Sequence, residues 1–220
     1  MTFEEILAKL PKPYYSDEAV VIYHSDCRLV LPLIPDKSID LVLTDPPYPD
    51  QHPEYGDCDI LFLNSFNCRQ LVFWSAKVEF PLNYTAIHIW DKKSGAGSQY
   101  ERLFERNGNK QFNVYRYYLI NSSVAANFTR DILTGHPSQK PHQLINKLVA
   151  DFSKESDLIL DPFLGSGTIA YCAKKLGRKC IGIEIEEKYC EIAARRCQQG
   201  VFKLDINIPE SIDKTAPTML

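Results

Sequence analysis

The chain has 220 residues, 45% of them hydrophobic and 24% charged, which suits one sizeable core and is short for two independent domains. No stretch approaches the ~20 apolar residues of a membrane span, and the leading MTFEEILAKL carries acids early with no small-residue cleavage site, so neither a membrane helix nor a secretory leader is expected. The formal net charge is −3, yet segment 92–147 holds nine Lys or Arg against three acids; a basic stretch in an otherwise acidic chain keeps nucleic acid open as a partner where the sum alone argues against it.

In chain order, residues 1–18 read as an amphipathic lead-in broken by Pro11 and Pro13. Residues 19–24 (AVVIYH) form a short β-rich run followed by Ser25, Asp26 and Cys27. Segment 38–44 (SIDLVLT) is a nearly continuous apolar run that stops at Asp45-Pro46, the pattern of a buried strand. Segments 70–75 (QLVFWS) and 86–90 (AIHIW) are further strands, and the alternating, aromatic-rich 111–120 (QFNVYRYYLI) is a strand near a hairpin. Apolar residues at helical spacing predict a helix over 144–152. Residues 158–160 form a short strand feeding the loop 161–168 (DPFLGSGT), after which 169–176 continue as a helix stopped by Gly177. Segment 179–183 (KCIGI) is another buried strand ending at Glu184, and 185–199, rich in Glu, Ala and Arg, is a strong helix. The last residues, 215–220, are expected to fray.

Strands alternating with helices predict an α/β fold with a doubly wound, mostly parallel sheet in a single domain, 1–220, carrying a small basic insert at 92–135. Ligands of such sheets bind beyond the carboxyl ends of the strands. Asp26, Asp45, the 161–168 loop and Glu184 each follow a strand, so one crevice should collect them. Seven scattered cysteines without a C-x-x-C pair predict reduced thiols and a cytoplasmic setting. His52, Cys58 and Cys68 match no standard zinc spacing, and no metal site is expected.

Three segments carry chemistry. In the 161–168 loop, Gly165 and Gly167 allow a tight turn, and the following helix N-terminus offers free N–H groups to the carboxylate of an amino-acid-like ligand. The loop lacks the G-K-[ST] of a phosphate loop, which excludes a nucleoside triphosphate reading. Glu184, about twenty residues on, ends the next strand, where an acid can accept both hydroxyls of a ribose. In 44–48 (TDPPY), two prolines offer carbonyls but no N–H, and Asp45 adds a carboxylate. These acceptors suit a group that donates twice, such as an exocyclic amine, and Tyr48 supplies a flat face for a flipped base. Segment 136–141 (HPSQKP) is a polar turn at the entrance to the 144–152 helix.

Together, the residues at 45–48, 136–141 and 161–168 closely resemble the signature motifs of the β-class DNA amino-methyltransferases, in that family's order: catalytic motif first, cofactor loop later. The resemblance covers roughly 19–48 and 136–197. It implies a Rossmann-like methyltransferase fold with permuted motif order and S-adenosyl-L-methionine as methyl donor. It implies that Asp161, Phe163, Gly165, Ser166, Gly167 and Thr168 line the cofactor, with Glu184 on its ribose and Asp26 and Cys27 near its adenine. Ser138 and Lys140 would lie near its methionine part. Asp45, Pro46, Pro47 and Tyr48 would be catalytic, Asp45 also bordering the cofactor. The first motif residue is Asp, in this family more typical of N6-adenine enzymes than of N4-cytosine enzymes, where Ser is more typical. Lys92, Lys93, Arg102, Arg106, Arg116 and Arg130 are the expected phosphate contacts on double-stranded DNA. The target-recognition segment is shorter than the family's usual insert, which points to a short site, a partner subunit or dimerisation, with a homodimer favoured. Alternatives are N4-cytosine methylation, RNA methylation and a catalytically idle DNA- or cofactor-binding protein. A nicotinamide dehydrogenase would leave the 45–48 segment unexplained.

Overall fold

The computed structural model describes residues 1–35, 37–51, 59–92, 100–109, 111–117 and 139–198. Its centre is a sheet built from nine strands among the described residues: β1 (Tyr15–Ser16), β2 (Val20–His24), β3 (Leu41–Thr44), β4 (Arg69–Trp74), β5 (Ala86–Asp91), β6 (Tyr100–Arg106), β7 (Val114–Arg116), β8 (Leu158–Asp161) and β9 (Lys179–Glu184). The spatial order is β1-β2-β9-β8-β3-β4-β6-β5-β7. The run from β2 through β9, β8 and β3 to β4 is parallel, whereas β6 runs antiparallel to both of its neighbours. Every residue of β3 and β8 is buried, as expected of parallel strands covered on both faces, and this explains their nearly continuous apolar reading. The α/β, mostly parallel architecture expected from the sequence is therefore the one observed.

Among the described residues the α-helices are α1 (Phe3–Leu7), α2 (Cys27–Val30), α3 (His142–Phe152), α4 (Thr168–Lys175) and α5 (Glu187–Gln198). The bounds of α3, α4 and α5 differ from the sequence expectation by a residue or two, and α2 was not expected. Helix α3 buries Leu144, Ile145, Leu148 and Val149 at helical spacing and packs on α4, which also contacts β9 and α5. Gly167, with φ of 75°, caps α4. A Cβ on Gly167 would lie 2.6 Å from Ala193 Cβ of α5, so this glycine serves helix packing.

Two strands were not legible in the sequence: the two-residue β1, inside the expected lead-in, and β6. Tyr100–Arg106 (YERLFER) lies inside the sheet, between β4 and β5, within the segment expected as a basic insert, most of which lies outside the described residues. Its charged residues Glu101, Glu105 and Arg106 are buried, so the period-2 hydrophobic signal is missing. Burial is tolerated because each has partners. Glu105 meets Arg69 Nε and His88 Nε2, each at 3.1 Å. Arg106 donates to Asn83 O at 2.8 Å, Gln70 Oε1 at 2.7 Å and Asn64 Oδ1 at 2.6 Å. Of the strand expected over 111–120, three residues pair with β5 as β7, and 118–120 lie outside the described residues.

Candidate active site at the carboxyl edge of the sheet

The carboxyl ends of β2, β3, β5, β8 and β9 open on one cavity of about 470 Å³. Because β6 is antiparallel, its amino end reaches the same edge, where Glu101 stands opposite Trp90 of β5. The cavity is lined at one end by Asp26, Cys27, Phe163, Gly165 and Glu184 and at the other by Asp45, Pro46, Pro47, Tyr48, Lys140 and Glu101. The crevice expected from strand ends alone is present, and it contains every described residue assigned to the catalytic and cofactor sets except Gly167. Ser138 lies outside the described residues.

At the first end, the Glu184 carboxylate accepts Gly165 N at 2.8 Å through Oε2 and Glu186 N at 2.9 Å through Oε1. It thereby fixes the glycine loop and keeps one lone pair on each oxygen for a diol. Burial pushes its pKa up, against the pull of these amides. Asp26 caps α2 through Arg28 N at 2.9 Å, and the Arg28 guanidinium holds its carboxyl below the usual range. Burial pushes the neighbouring Cys27 thiol up to about 11, so it stays neutral. The loop is braced from below: Arg196 of α5 donates to Ser166 O at 3.1 Å and to Thr168 Oγ1 at 2.9 Å. Asp161 is buried at the sheet's switch point and accepts Thr44 Oγ1 at 2.8 Å and Phe163 N at 3.2 Å. Burial raises its pKa to about 7. An acidic, amide-rich wall with an aromatic ring at Phe163 fits a ligand carrying a cationic amino-acid part, a ribose diol and a flat base.

At the second end, Tyr48 is only 4% exposed. Its hydroxyl lies 2.8 Å from Asp45 Oδ1 and 3.0 Å from Glu101 Oε2. The ring packs against Trp74, so it offers less free face than the sequence suggests, although it still lines the cavity. Lys140 bonds Asp45 Oδ2 and lies 3.3 Å from Glu101 Oε2, which sets it at the catalytic end. Lys92 pairs with Glu101 Oε1 at 2.5 Å. Burial raises the Asp45 pKa, opposed by Lys140. Burial also disfavours ionised Glu101, but Lys140 and Lys92 together hold its pKa low. Glu101 was missed by sequence reasoning: it belongs to no motif and sits in a strand that the pattern concealed.

The expected phosphate contacts divide. Arg106 is committed to the interior by its three side-chain bonds, and Arg102 donates to Ser75 O at 2.9 Å and to Val78 O; both are corrected from DNA-facing to structural. Lys92 faces the cavity. Arg116 has a side chain 66% exposed, with Asp91 3.4 Å away, and it stands on the surface. Lys93 and Arg130 lie outside the described residues.

The N6/N4 DNA methylase profile, described as "DNA methylase", matches residues 67–195, more than half of the chain. The chain belongs to the N6/N4 DNA methylase family. Its relatives include the type II methyltransferase M2.LlaDCHI of Lactococcus lactis subsp. cremoris, 28% identical over 87% of this methylase and 94% of that protein. M2.DpnII of Streptococcus pneumoniae is 27% identical over 86% and 93%. Among solved structures, the PvuII DNA methyltransferase (cytosine-N4-specific) superposes with a TM-score of 0.64 at 17% identity, covering 90% of each chain. The M1.HpyAVI–SAM complex does so with a TM-score of 0.57 at 21% identity, covering 80% of this methylase and 99% of that chain. The methylase is thus a DNA methyltransferase of the N6/N4 class, and its family uses S-adenosyl-L-methionine.

Proposed function

We propose that this methylase transfers a methyl group to the N6 amine of adenine in double-stranded DNA. The observation that carries the reading is the continuity of one cavity from Glu184 and the glycine loop to Asp45 and Tyr48. S-adenosyl-L-methionine, when bound, supplies an activated methyl group on a sulfonium centre. Glu184 holds the ribose diol, Asp26 and Cys27 border the adenine of the cofactor, and the 161–168 loop receives its amino-acid part.

The exocyclic amine of the target is a poor nucleophile because its lone pair is delocalised into the ring. Asp45 and the Pro46 carbonyl accept its two N–H groups, favour a pyramidal nitrogen and free the lone pair for in-line attack. Positioning and electrostatics supply most of the acceleration. Asp45 takes the proton that the methylated nitrogen releases, and its raised pKa makes it a better acceptor than an exposed aspartate. Extruding the base costs a few kcal/mol, partly offset inside the cavity by contact with the Tyr48 ring.

Asp rather than Ser at position 45 supports adenine; the PvuII neighbour shares the fold, so the fold alone does not choose the base. Incubation with labelled cofactor and mixed duplex DNA, followed by nucleoside chromatography, should give N6-methyladenine. N4-methylcytosine would overturn the choice of base, and no labelled nucleoside would overturn the reading as an active enzyme. Asp45→Ala should abolish transfer while cofactor binding, read by calorimetry, stays intact. The short recognition segment supports a homodimer, for which sedimentation at working concentration is the check.

A further inference from the structure

We propose that Glu101 is a positioning residue that draws Lys140 and the Tyr48 hydroxyl away from Asp45 as the target amine arrives. The inference rests on the assignment of Asp45 as the amine's acceptor and deepens it. Both Asp45 oxygens are engaged: Oδ1 accepts from Tyr48 at 2.8 Å, and Oδ2 is bound by Lys140. A carboxylate held this way has fewer lone pairs for a third donor, and the ammonium weakens it as a proton acceptor. Glu101 Oε2 stands 3.0 Å from the same hydroxyl and 3.3 Å from the same ammonium. The hydroxyl has one hydrogen, so it serves one carboxylate at a time. Glu101 is the alternative acceptor for both donors, close enough that small rotations complete the exchange.

Two features keep the exchange poised. Lys92, at 2.5 Å from Glu101 Oε1, anchors the carboxylate from the outside and balances its charge. The Lys140 ammonium lies 5.0 Å from the Phe73 ring centroid and 5.7 Å from that of Tyr48, which favours retaining the cation here when it leaves Asp45. Lys92, Glu101, Lys140 and Asp45 form an alternating, neutral row in which Glu101 alone touches both lysines among the described residues. Asp161, at the end of β8, is a further titratable group acting on Asp45 among the described residues.

The test is the pH dependence of kcat in two variants with opposite charge changes. Glu101→Gln keeps the shape, makes the row +1 and gives Lys140 to Asp45 alone, so the acidic limb should move down by about one pH unit. Lys92→Gln makes the row −1, and the limb should move up. Cofactor affinity, read by calorimetry, should stay unchanged in both, because neither side chain lies at the Glu184 end. Limbs that coincide with wild type, or that move in the same direction, would overturn the proposal. Should Glu101→Gln not fold, Lys92→Gln decides by the sign of its shift. Asp45→Asn, run alongside, separates the two readings: if it remains active, the assignment of Asp45 fails whatever the limbs do.

Discussion

Replacing Gly167 by Ala tests whether this glycine is there for the cofactor or for the packing of two helices. Its φ of 75° lies in the left-handed region, which costs an L-residue roughly 1–2 kcal/mol. The new Cβ would meet Ala193 Cβ at 2.6 Å and Ala193 Cα at 2.9 Å, and overpacking of this kind costs about 1–3 kcal/mol. The sum is roughly 2–5 kcal/mol, or a fall in Tm of about 5–15 °C for a chain of this size. Urea denaturation of the wild type, Gly167→Ala, Ala193→Gly and the double variant forms a cycle. Ala193→Gly removes the nearer contact and leaves the farther one, so the pair should couple favourably by about 1 kcal/mol. A Gly167→Ala protein within ~0.5 kcal/mol of wild type, or a cycle that is purely additive, would refute the packing argument.

Glu184→Gln should weaken S-adenosyl-L-methionine binding in calorimetry, since an amide that turns its NH2 toward Gly165 or Glu186 loses one of the two backbone bonds that shape the loop; unchanged affinity would remove Glu184 from the site. Asp161, at about 7 when folded against ~3.9 in an unfolded chain, keeps its proton in the native state between those values. Stability should therefore fall as pH rises from about 4 to 7, by at most about 4 kcal/mol from this group. Asp161→Asn should flatten that slope in urea midpoints taken across the range, and parallel slopes would contradict the assignment. Arg106→Met should lower Tm by leaving Gln70 and Asn64 without their donor, whereas Arg116→Ala should leave Tm within a degree or two and weaken DNA binding with a shallower salt dependence. The reverse pattern would restore Arg106 to the DNA-facing set.

The sequence by itself determined the fold class, the position of the crevice and the identity of most groups lining it. Short apolar runs at 41–43 and 158–160, bounded by turn residues, read as strands buried on both faces, and a polar residue at the end of such a strand lies at the sheet's edge. Asp45, Asp161 and Glu184 were legible for that reason, and the 45–48 and 161–168 motifs carried the family. The tertiary structure alone decided what those groups touch. Lys140 stands 95 residues from Asp45 along the chain, and no spacing rule links them. Glu101 was hidden because the strand that carries it buries charged side chains beside Leu103 and Phe104, which breaks the period-2 pattern, and its antiparallel direction brings an amino end to an edge otherwise made of carboxyl ends. Arg102 and Arg106 look the same in sequence as Arg116; only the tertiary structure shows Arg106 buried among its acceptors and the half-buried Arg102 bonded to the Ser75 and Val78 carbonyls. Periodicity reports which face a residue presents to a core, and a buried ion pair presents the opposite signal from the one that periodicity measures.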